Sequence, residues 1–454
     1  MKPIIILLAA IFLAPLPGKA QMPSDRSSQI LGEFDSLFTT FNSLIFKKQS
    51  AVSAPDFGDT SSFFRPADTV AVTPELDAAL RQRTAAEIRE GNSRTGLSLT
   101  GQTYYRLDNN LGFDEDDAES RYRAKIQAEL RWYFLQSSLF GRKGRRAEAS
   151  IKEQIERAAM RKDREDVSDY LLRDNLRAYY DSLMAGVLQH RLRALNLIND
   201  AQTYLLSNEN ITSDELLPIL DDRMEAERKL SAIDGSYPLA SDLSQVEGYI
   251  VTIDTTAMMS HVRDTQIDLT LLRLRMDLLE RQAANIHYWQ NVNFAPFVRF
   301  SYYGRDNLPN SRNVDVGMTF TVPLSMETKR KRESLRAERD VLGAQQAYVN
   351  ARMADKVAFI ARELARLNRE SEAEGRRIVE IKKYIAMRTD AYANRVGEFN
   401  RLARTKEYNL YLVCLEKLID YQYRRDTLLA ELQALVPDVP VMRFCLATPL
   451  REKI

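Results

Sequence analysis

The stretch YRAKIQAELRWYF, residues 122–134, alternates apolar or small side chains with polar ones at every second position. A second stretch, NVDVGMTFTVPL at residues 313–324, repeats the alternation, and residues 97–107 and 294–302 carry fainter copies. A period of two is that of a β-strand, and long strands with one apolar face are typical of membrane-spanning strands. The lipid-facing candidates predicted from this alternation are Ile126, Leu130, Trp132, Phe134, Val316, Met318, Phe320 and Val322.

Four strands are too few to close a membrane barrel, since roughly eight are needed. Open sheet edges are not tolerated in the hydrocarbon of a bilayer. The strands must therefore either combine with those of further copies of the chain or stay outside a membrane. Aromatic residues mark both ends of the strands, as in the girdles of membrane barrels, although core aromatics are an alternative. They are Tyr104, Tyr105, Tyr302 and Tyr303 at one end and Trp132, Tyr133, Phe134, Tyr288 and Trp289 at the other.

The N-terminal residues predict export. Residues 1–20 combine a charged start, an apolar core and the small-residue cleavage site Gly18-Lys19-Ala20, which is the pattern of a secretory signal; a retained signal anchor is the alternative. No later segment is apolar enough for a helical membrane span. The net charge of +1 favours no nucleic-acid partner. Cys414 and Cys445 are the only cysteines, and nothing in their spacing requires a disulfide.

Two long proline-free stretches predict long helices that turn back on themselves. The first covers residues 141–206 and turns at 207–211, and the second covers 325–394 and turns at 395–398. In the second stretch, apolar residues recur every three or four positions, which predicts packing against another helix along its length. This seam consists of Val357, Ile360, Leu364, Leu367, Ile378, Ile381 and Ile385, with Ser371 and Glu374 in the intervening seam positions.

The order of elements predicts an internal duplication. Each half reads helix, strand, loop, strand, long helix, turn and shorter helix, with an offset of about 190 residues. The first repeat is assigned to residues 71–250 and the second to 251–436, with one helix over 254–290 leading up to the third strand. An N-terminal segment and linker, residues 21–70, precedes the repeats. A C-terminal tail, residues 437–454, is predicted to wrap the helical part.

No arrangement of residues predicts catalysis. His190, His261 and His287 are scattered without metal-ligand spacing, and no phosphate loop, nucleophile elbow or HExxH motif occurs. The sequence therefore predicts a protein that is not an enzyme and holds neither a cofactor nor a metal. The acidic loop between the first two strands is interpreted as a solvated outer loop, with binding of divalent cations or surface polysaccharide as the alternative.

Two basic clusters directly follow predicted strands, each at the start of a long predicted helix. Cations at this end of a helix oppose the helix dipole, so a negative partner is expected. Glu148 and Glu333 are local candidates, and phospholipid head groups at the periplasmic leaflet are the functional alternative. The clusters are Arg142, Lys143, Arg145 and Arg146 in the first repeat and Lys329, Arg330, Lys331 and Arg332 in the second.

The second strand pair carries a family signature. The residues FAP at 294–296, YY at 302–303 and DVGMTFTVPL at 315–324, followed by a helix rich in arginine and alanine, resemble the strand pair of TolC-like outer-membrane efflux proteins. The stretch from Tyr392 to Tyr421 resembles that family's second hairpin turn and returning helix. The glycine pair common after "PL" in the family is replaced here by Ser-Met-Glu-Thr.

The resemblance implies a mainly α fold with four membrane β-strands per chain and the family's duplicated plan. It implies a homotrimer in the outer membrane, in which four strands from each chain close a 12-stranded β-barrel. A long periplasmic α-helical barrel would continue this β-barrel. The family also closes at its periplasmic end and opens on docking to a periplasmic adaptor, or membrane fusion protein, which links it to an inner-membrane pump.

The two helical hairpin tips are the candidate gate. A threefold assembly would turn each carboxylate at the tips into a ring, and such rings favour cations. The alternatives are ordinary helix caps and dipole partners for the acids and a turn residue with positive φ for the glycine. The gate candidates are Glu209, Asp214, Glu215, Asp221, Asp222, Gly397, Glu398 and Arg401.

The sequence thus predicts an outer-membrane channel with a large periplasmic portion, the exit duct of a multi-component system for the efflux of small molecules. One alternative keeps this architecture but exports polypeptides. Another, of a different class, is a periplasmic helical scaffold or adaptor without a pore. The expected partners of the channel are two further copies of the chain, the adaptor with its pump, and outer-membrane lipid.

Overall fold

The structure, a computed structural model, is mainly helical with a few strands, as the sequence predicts. The predicted signal at 1–20 and the centres of the two hairpin turns lie outside the described residues. The structure describes residues 30, 32–40, 64, 74–93, 96–105, 112–114, 117–122, 124–133, 142–207, 213–233, 249–287, 292–304, 309–322, 327–393 and 401–450.

Two helices dominate the molecule, and each is about 100 Å long at 1.5 Å per residue. A short helical segment over residues 32–40 precedes the labelled helices. None of the described helices has the length and apolar character needed to cross a lipid bilayer. The labelled helices are α1 (Pro74–Ser93), α2 (Arg142–Ser207), α3 (Ser213–Ser231), α4 (Thr255–Thr265), α5 (Ile267–Asn285), α6 (Glu327–Ala393) and α7 (Arg401–Gln433).

The described strands form one four-stranded sheet and two strand pairs. The large sheet is antiparallel in the order β1-β4-β6-β7, and β2 pairs with β3 within the predicted outer loop. The third pair joins β5 to β8. The strands are β1 (Leu97–Tyr105), β2 (Gly112–Asp114), β3 (Asp117–Tyr122), β4 (Ala124–Trp132), β5 (Tyr249–Ile253), β6 (Asn293–Gly304), β7 (Ser311–Thr321) and β8 (Cys445–Pro449).

The register of the four-stranded sheet places most of the large apolar residues of its four strands on one face. Side chains of residues directly opposite each other in a ladder share a face. One such row across the sheet is apolar and the next is polar or charged. The apolar row is Leu99, Leu130, Val298 and Val316, and the polar row is Thr100, Glu129, Arg299 and Asp315.

Gly317 lies beneath an aromatic ring on the polar face of this sheet. It pairs with Phe297, and a Cβ at residue 317 would stand 2.7 Å from the tip of that ring. The ring also lies under two guanidinium groups, at 5.8 Å from that of Arg131 and 5.2 Å from that of Arg299. A glycine in the middle of a strand here marks a site of close side-chain approach.

We expect Gly317→Ala to destabilise the protein by about 1–3 kcal/mol, because the new methyl group displaces the ring of Phe297. The measurement is the midpoint of heat denaturation. In a double-mutant cycle, the change should cost much less in a Phe297→Ala background, where the clash is absent. Equal costs in both backgrounds would contradict the assigned contact.

The core of the helical part lies where α7 packs against the two long helices. The predicted seam of α6 is buried, with Ile360 and Leu364 each 1% exposed and the seam position Ser371 only 7% exposed. α7 contacts α2 as well as α6, and α5 also packs between the two long helices. The spacing of three and four residues between apolar positions in α6 therefore correctly predicted that this helix packs against another helix.

The strand pair β5–β8 was not predicted. The predicted tail over 437–454 forms a 3₁₀ turn at Val441–Phe444 and then enters β8, which pairs with β5. The buried amide of Asn368 on α6 fastens this pair, since its Oδ1 accepts from Val251 N at 3.3 Å and its Nδ2 donates to Val251 O at 2.8 Å. The tail is thus anchored to α6 through a strand of the chain's middle.

The prediction of a single helix over 254–290 was wrong. The chain breaks at Gln266, whose backbone is extended at φ −63° and ψ 129°, so that α4 ends and α5 begins anew. Gln266 caps α5 by accepting a hydrogen bond from Leu269 N at 3.1 Å, and Asp254 caps α4 in the same way. Glutamine is not a usual N-cap residue, so the residues around Gln266 do not indicate that a new helix begins there.

Candidate functional site

The apolar face of the four-stranded sheet is exposed on the isolated chain. Val316 is 78% exposed, Leu99 is 75% exposed and Phe320 is 62% exposed. A contiguous apolar surface of this kind marks an interaction site with a membrane or another protein. Its exposed large members are Leu97, Leu99, Tyr105, Ile126, Leu130, Trp132, Val298, Phe300, Val314, Val316, Met318 and Phe320.

Six of the eight predicted lipid-facing residues lie on this face; the exceptions are Phe134, which lies outside the described residues, and Val322, which follows the end of β7. The predicted set took its members from β4 and β7 only. Leu99 and Val298 belong to the same apolar row but were not selected, because the alternation in β1 and β6 is fainter. Only the register shows that all four strands share the face.

The opposite face of the sheet is polar and carries a charged cluster. Glu129, only 9% exposed, pairs with Arg131 at 2.5 Å and with Arg299 at 3.0 Å. Lys125 lies over the ring of Tyr303 at 5.2 Å. A sheet that is apolar on one side and charged on the other fits a boundary between hydrocarbon and water.

The two outer edges of this sheet, on β1 and β7, are unpaired within the described part of the chain. Consecutive strands in the order β1-β4-β6-β7 are antiparallel, so β1 and β7 run in opposite directions. The β7 edge of one copy can therefore pair with the β1 edge of the next and continue the antiparallel order. Unpaired edges of this length invite such pairing with another chain.

At the first hairpin tip, the predicted gate acids fall into two groups. Asp214 and Glu215 are exposed in the first turn of α3, and Asp221 is exposed two turns further on. Asp222 instead lies 3.5 Å from the buried Arg191 of α2. Glu209 lies outside the described residues.

Asp222 belongs to a charge network that joins three helices. Arg191 pairs with Glu416 of α7 at 2.7 Å, and Glu416 also accepts from Lys229 of α3 at 2.5 Å. Burial lowers the pKa of Lys229, but its hydrogen bonds to Glu225 and Glu416 outweigh burial and raise it overall. The network fixes α3 against α2 and α7, so Asp222 has a structural partner in this protein.

At the second tip, Gly397 and Glu398 lie outside the described residues, whereas Arg401 is held by the N-terminal segment over 32–40. Arg401 Nη2 lies 3.2 Å from Asp35 Oδ1. One turn along α7, the buried Arg404 donates to Thr389 Oγ1 of α6 at 2.5 Å and lies 5.4 Å from the ring of Phe38. Local sequence patterns do not indicate how the segment over 32–40 contacts α7, because Asp35 and Arg401 are 366 positions apart, and Phe38 and Arg404 are equally distant.

We expect Phe38→Ala to release the segment over 32–40 from α7. Phe38 is 7% exposed and its ring lies 5.8 Å from that of Tyr408, so its loss should cost about 3–5 kcal/mol of docking energy. The measurement is hydrogen–deuterium exchange of the backbone amides of residues 32–40, which should accelerate.

The matched variant is Asp35→Asn. It removes only the exposed ion pair to Arg401, whose side chains are 62% and 32% exposed, and should cost less than about 1 kcal/mol. Equal exchange rates over residues 32–40 in Phe38→Ala and the unmodified protein would contradict the docking role of the ring.

The two basic clusters both lie beside the C-terminal end of α5. Glu148, beside the first cluster, accepts a hydrogen bond from Asn285, the last residue of α5. Arg332 of the second cluster donates to the carbonyl oxygen of Ile286, the next residue along the chain. The side chain of Arg142 lies outside the description. The remaining described cations of both clusters are exposed: Lys143, Arg145, Arg146, Lys329, Arg330 and Lys331.

Within the described residues, no group of three or more His, Cys, Asp and Glu side chains is placed to hold a metal ion. Cys414 and Cys445 are both free thiols. Burial raises the pKa of Cys414 to about 11 and that of Cys445 to about 12. Both thiols therefore stay protonated at neutral pH and are poor nucleophiles.

No known protein-family profile matches the sequence, and no curated protein matches it either. Solved structures do resemble the fold. The Campylobacter jejuni CmeC outer membrane channel has a TM-score of 0.51 at 10% identity, covering 87% of this chain and 88% of its own. A membrane protein from Pseudomonas aeruginosa has a TM-score of 0.50 at 14% identity, covering 79% of this chain and 89% of its own. The resemblance to TolC-like outer-membrane channels is thereby confirmed for the fold.

Proposed function

We propose that three copies of this chain form an outer-membrane channel, the exit duct of an export system. The observation that carries the proposal is the sheet with one exposed apolar face, one charged face and two open edges. In a monomer this sheet exposes a large apolar surface, which is unfavourable in water. It also exposes unpaired backbone groups, which are unfavourable in hydrocarbon. Edge-to-edge closure by further copies resolves both problems, because the edges pair and the apolar face becomes the outer surface.

The strand count supports three copies. Each chain supplies four strands to the sheet, so two copies would reach about the minimum of eight, a barrel whose interior side chains largely fill. Three copies reach twelve strands, which leaves more room inside. The charged cluster of Glu129, Arg131 and Arg299 would then line the interior. Three copies are also what the resemblance of the sequence to TolC-like channels implies.

The long helices would extend the channel into the periplasm and end in the two hairpin tips. Asp214, Glu215 and Asp221 are exposed near the first tip, and a threefold ring of these carboxylates would favour cations at the entrance. Arg401 marks the second tip. We propose that the tips form the gate and contact a periplasmic adaptor, which connects the duct to an inner-membrane pump.

This proposal is preferred to a periplasmic scaffold because of the apolar sheet face. In a water-soluble scaffold, the exposure of twelve large apolar side chains on one sheet would be unfavourable. Export of small molecules and export of polypeptides use the same duct, and we propose the former on the fold's resemblance to an efflux family. The proposal assigns the chain no catalytic role.

The test uses the full chain expressed in a Gram-negative host. Detergent extraction of the outer-membrane fraction should yield trimers that resist sodium dodecyl sulfate until heated. In planar bilayers the purified trimers should conduct ions in discrete steps of equal size. A monomeric protein found in the soluble periplasmic extract would overturn the proposal.

A further inference from the structure

We propose that the cations at the sheet–helix junction form a binding site for anionic phospholipid head groups. The inference rests on the proposed function for one point, namely that the sheet spans the membrane and its end marks the bilayer surface. The site combines the two basic clusters, Arg142 to Arg146 and Lys329 to Arg332. They lie about 190 residues apart in sequence but flank the same end of α5.

Two contacts establish that the clusters are neighbours. Asn285 ends α5 and donates to Glu148, one turn from the first cluster. Ile286 follows it directly and accepts from Arg332 in the second cluster. α5 thus packs between α2 and α6 and brings both clusters to the same end of the helical part, at the starts of the helices that follow β4 and β7 in the chain.

The cations outnumber the acids within the same two stretches. Residues 142–148 carry four cations and one carboxylate, and residues 327–333 carry four cations and two carboxylates, so the stretches together hold eight basic and three acidic residues. The acids of these stretches are too few to balance their cations, and Glu333 lies 3.9 Å from Lys329 with both side chains mostly exposed. Three copies of the chain would repeat this surplus around the channel.

The position and the chemistry together select the ligand. The helices that carry the cations are the next described elements after β4 and β7, so they start near the level of the lipid head groups if the sheet spans the membrane. Cations next to an anionic bilayer surface each contribute to binding. They also stand at the start of α2 and α6, where a helix dipole opposes them, so an external phosphate is favourable. Phosphatidylglycerol provides this phosphate together with acyl chains for the apolar face.

The test compares charge removal at the junction with equal charge removal elsewhere. The junction variant combines Lys143→Gln, Arg146→Gln, Arg330→Gln and Lys331→Gln, all at exposed positions. The control variant combines Arg193→Gln, Arg352→Gln, Arg362→Gln and Arg369→Gln, which are also exposed and remove the same charge from parts of α2 and α6 far from the junction. Purified protein in neutral detergent is titrated with dihexanoyl phosphatidylglycerol, dihexanoyl phosphatidylcholine or inorganic phosphate, and the heat-denaturation midpoint is followed.

For the unmodified protein and the control variant, phosphatidylglycerol should raise the midpoint, whereas phosphatidylcholine and inorganic phosphate should not. The junction variant should need at least tenfold more phosphatidylglycerol for the same shift. An unchanged response of the junction variant would overturn the inference, and so would an equal shift with inorganic phosphate, which would indicate a simple anion site.

Conductance in planar bilayers separates this inference from the proposed function. A junction variant that conducts normally and responds to phosphatidylglycerol like the unmodified protein refutes the lipid site and leaves the channel intact. Failure of the unmodified protein to conduct refutes the channel. The lipid titration is performed in detergent and needs no conducting pore. If the four changes prevent folding, the double variant Lys143→Gln and Lys331→Gln, one change in each cluster, should still show a weakened response.

Discussion

Replacing Val316 by arginine should prevent assembly of the protein in the outer membrane. Val316 lies at the middle of β7 and is 78% exposed on the apolar face. An arginine facing lipid at the bilayer midplane costs about 2–4 kcal/mol, and a trimer carries three copies of it. We expect heat-resistant trimers to disappear from the outer-membrane fraction on gel electrophoresis.

The matched control is Asn313→Arg, which adds the same side chain to the same strand on the polar face. Asn313 is exposed and pairs with Ser301, so an arginine there would point into water and assembly should persist. Ile126→Arg and Phe320→Arg lie closer to the strand ends and should impair assembly less than Val316→Arg, because the cost falls toward the interfaces. Equal assembly of Val316→Arg and Asn313→Arg would refute the lipid-facing assignment.

Removing the carboxylate of Asp426 should cause the largest loss of stability in the helical part. Asp426 is 1% exposed and accepts from Tyr180 OH at 2.5 Å, Tyr249 OH at 3.1 Å and Arg425 Nε at 2.7 Å. Burial, together with the Asp426 carboxylate, raises the pKa of Tyr180 well above its ordinary value, so its hydroxyl keeps the proton that it donates.

Asp426→Ala leaves the guanidinium of Arg425, 3% exposed, buried without its countercharge. Breaking a buried ion pair in this way costs about 3–5 kcal/mol, which should appear as a lower midpoint of thermal unfolding by circular dichroism. Tyr180→Phe removes one hydrogen bond to a charged group and should cost about 1.5–3 kcal/mol.

The same helix supplies the control. Asp420 pairs with Arg424 at 2.9 Å, but these side chains are 40% and 56% exposed. Asp420→Ala should therefore cost less than about 1 kcal/mol. If the two aspartate variants unfold at the same temperature, the buried network does not contribute as described.

The network around Asp426 could not be predicted from local sequence patterns. It joins α2, β5 and α7 through residues as much as 246 positions apart, and β5 itself carried no recognised signal. A five-residue strand that pairs with the chain's end has too few alternating positions to stand out. Asp35 and Arg401 are likewise far apart in the sequence, and their contact links the N-terminal segment to the second tip.

Local sequence patterns were sufficient to predict the elements with a strong hydrophobic period. The alternation in β4 and β7 and the three-and-four spacing of Ile360 and Leu364 each reflect a local rule, since side-chain direction follows from backbone geometry. We could therefore predict from the sequence a mainly helical fold with a few strands and its likeness to an outer-membrane channel. The tertiary structure alone decided which faces meet: that four strands share one apolar surface, that Asp222 is paired with Arg191, and that two distant basic clusters flank α5. Such pairings depend on packing between segments far apart in the chain, and no local pattern of residues encodes them.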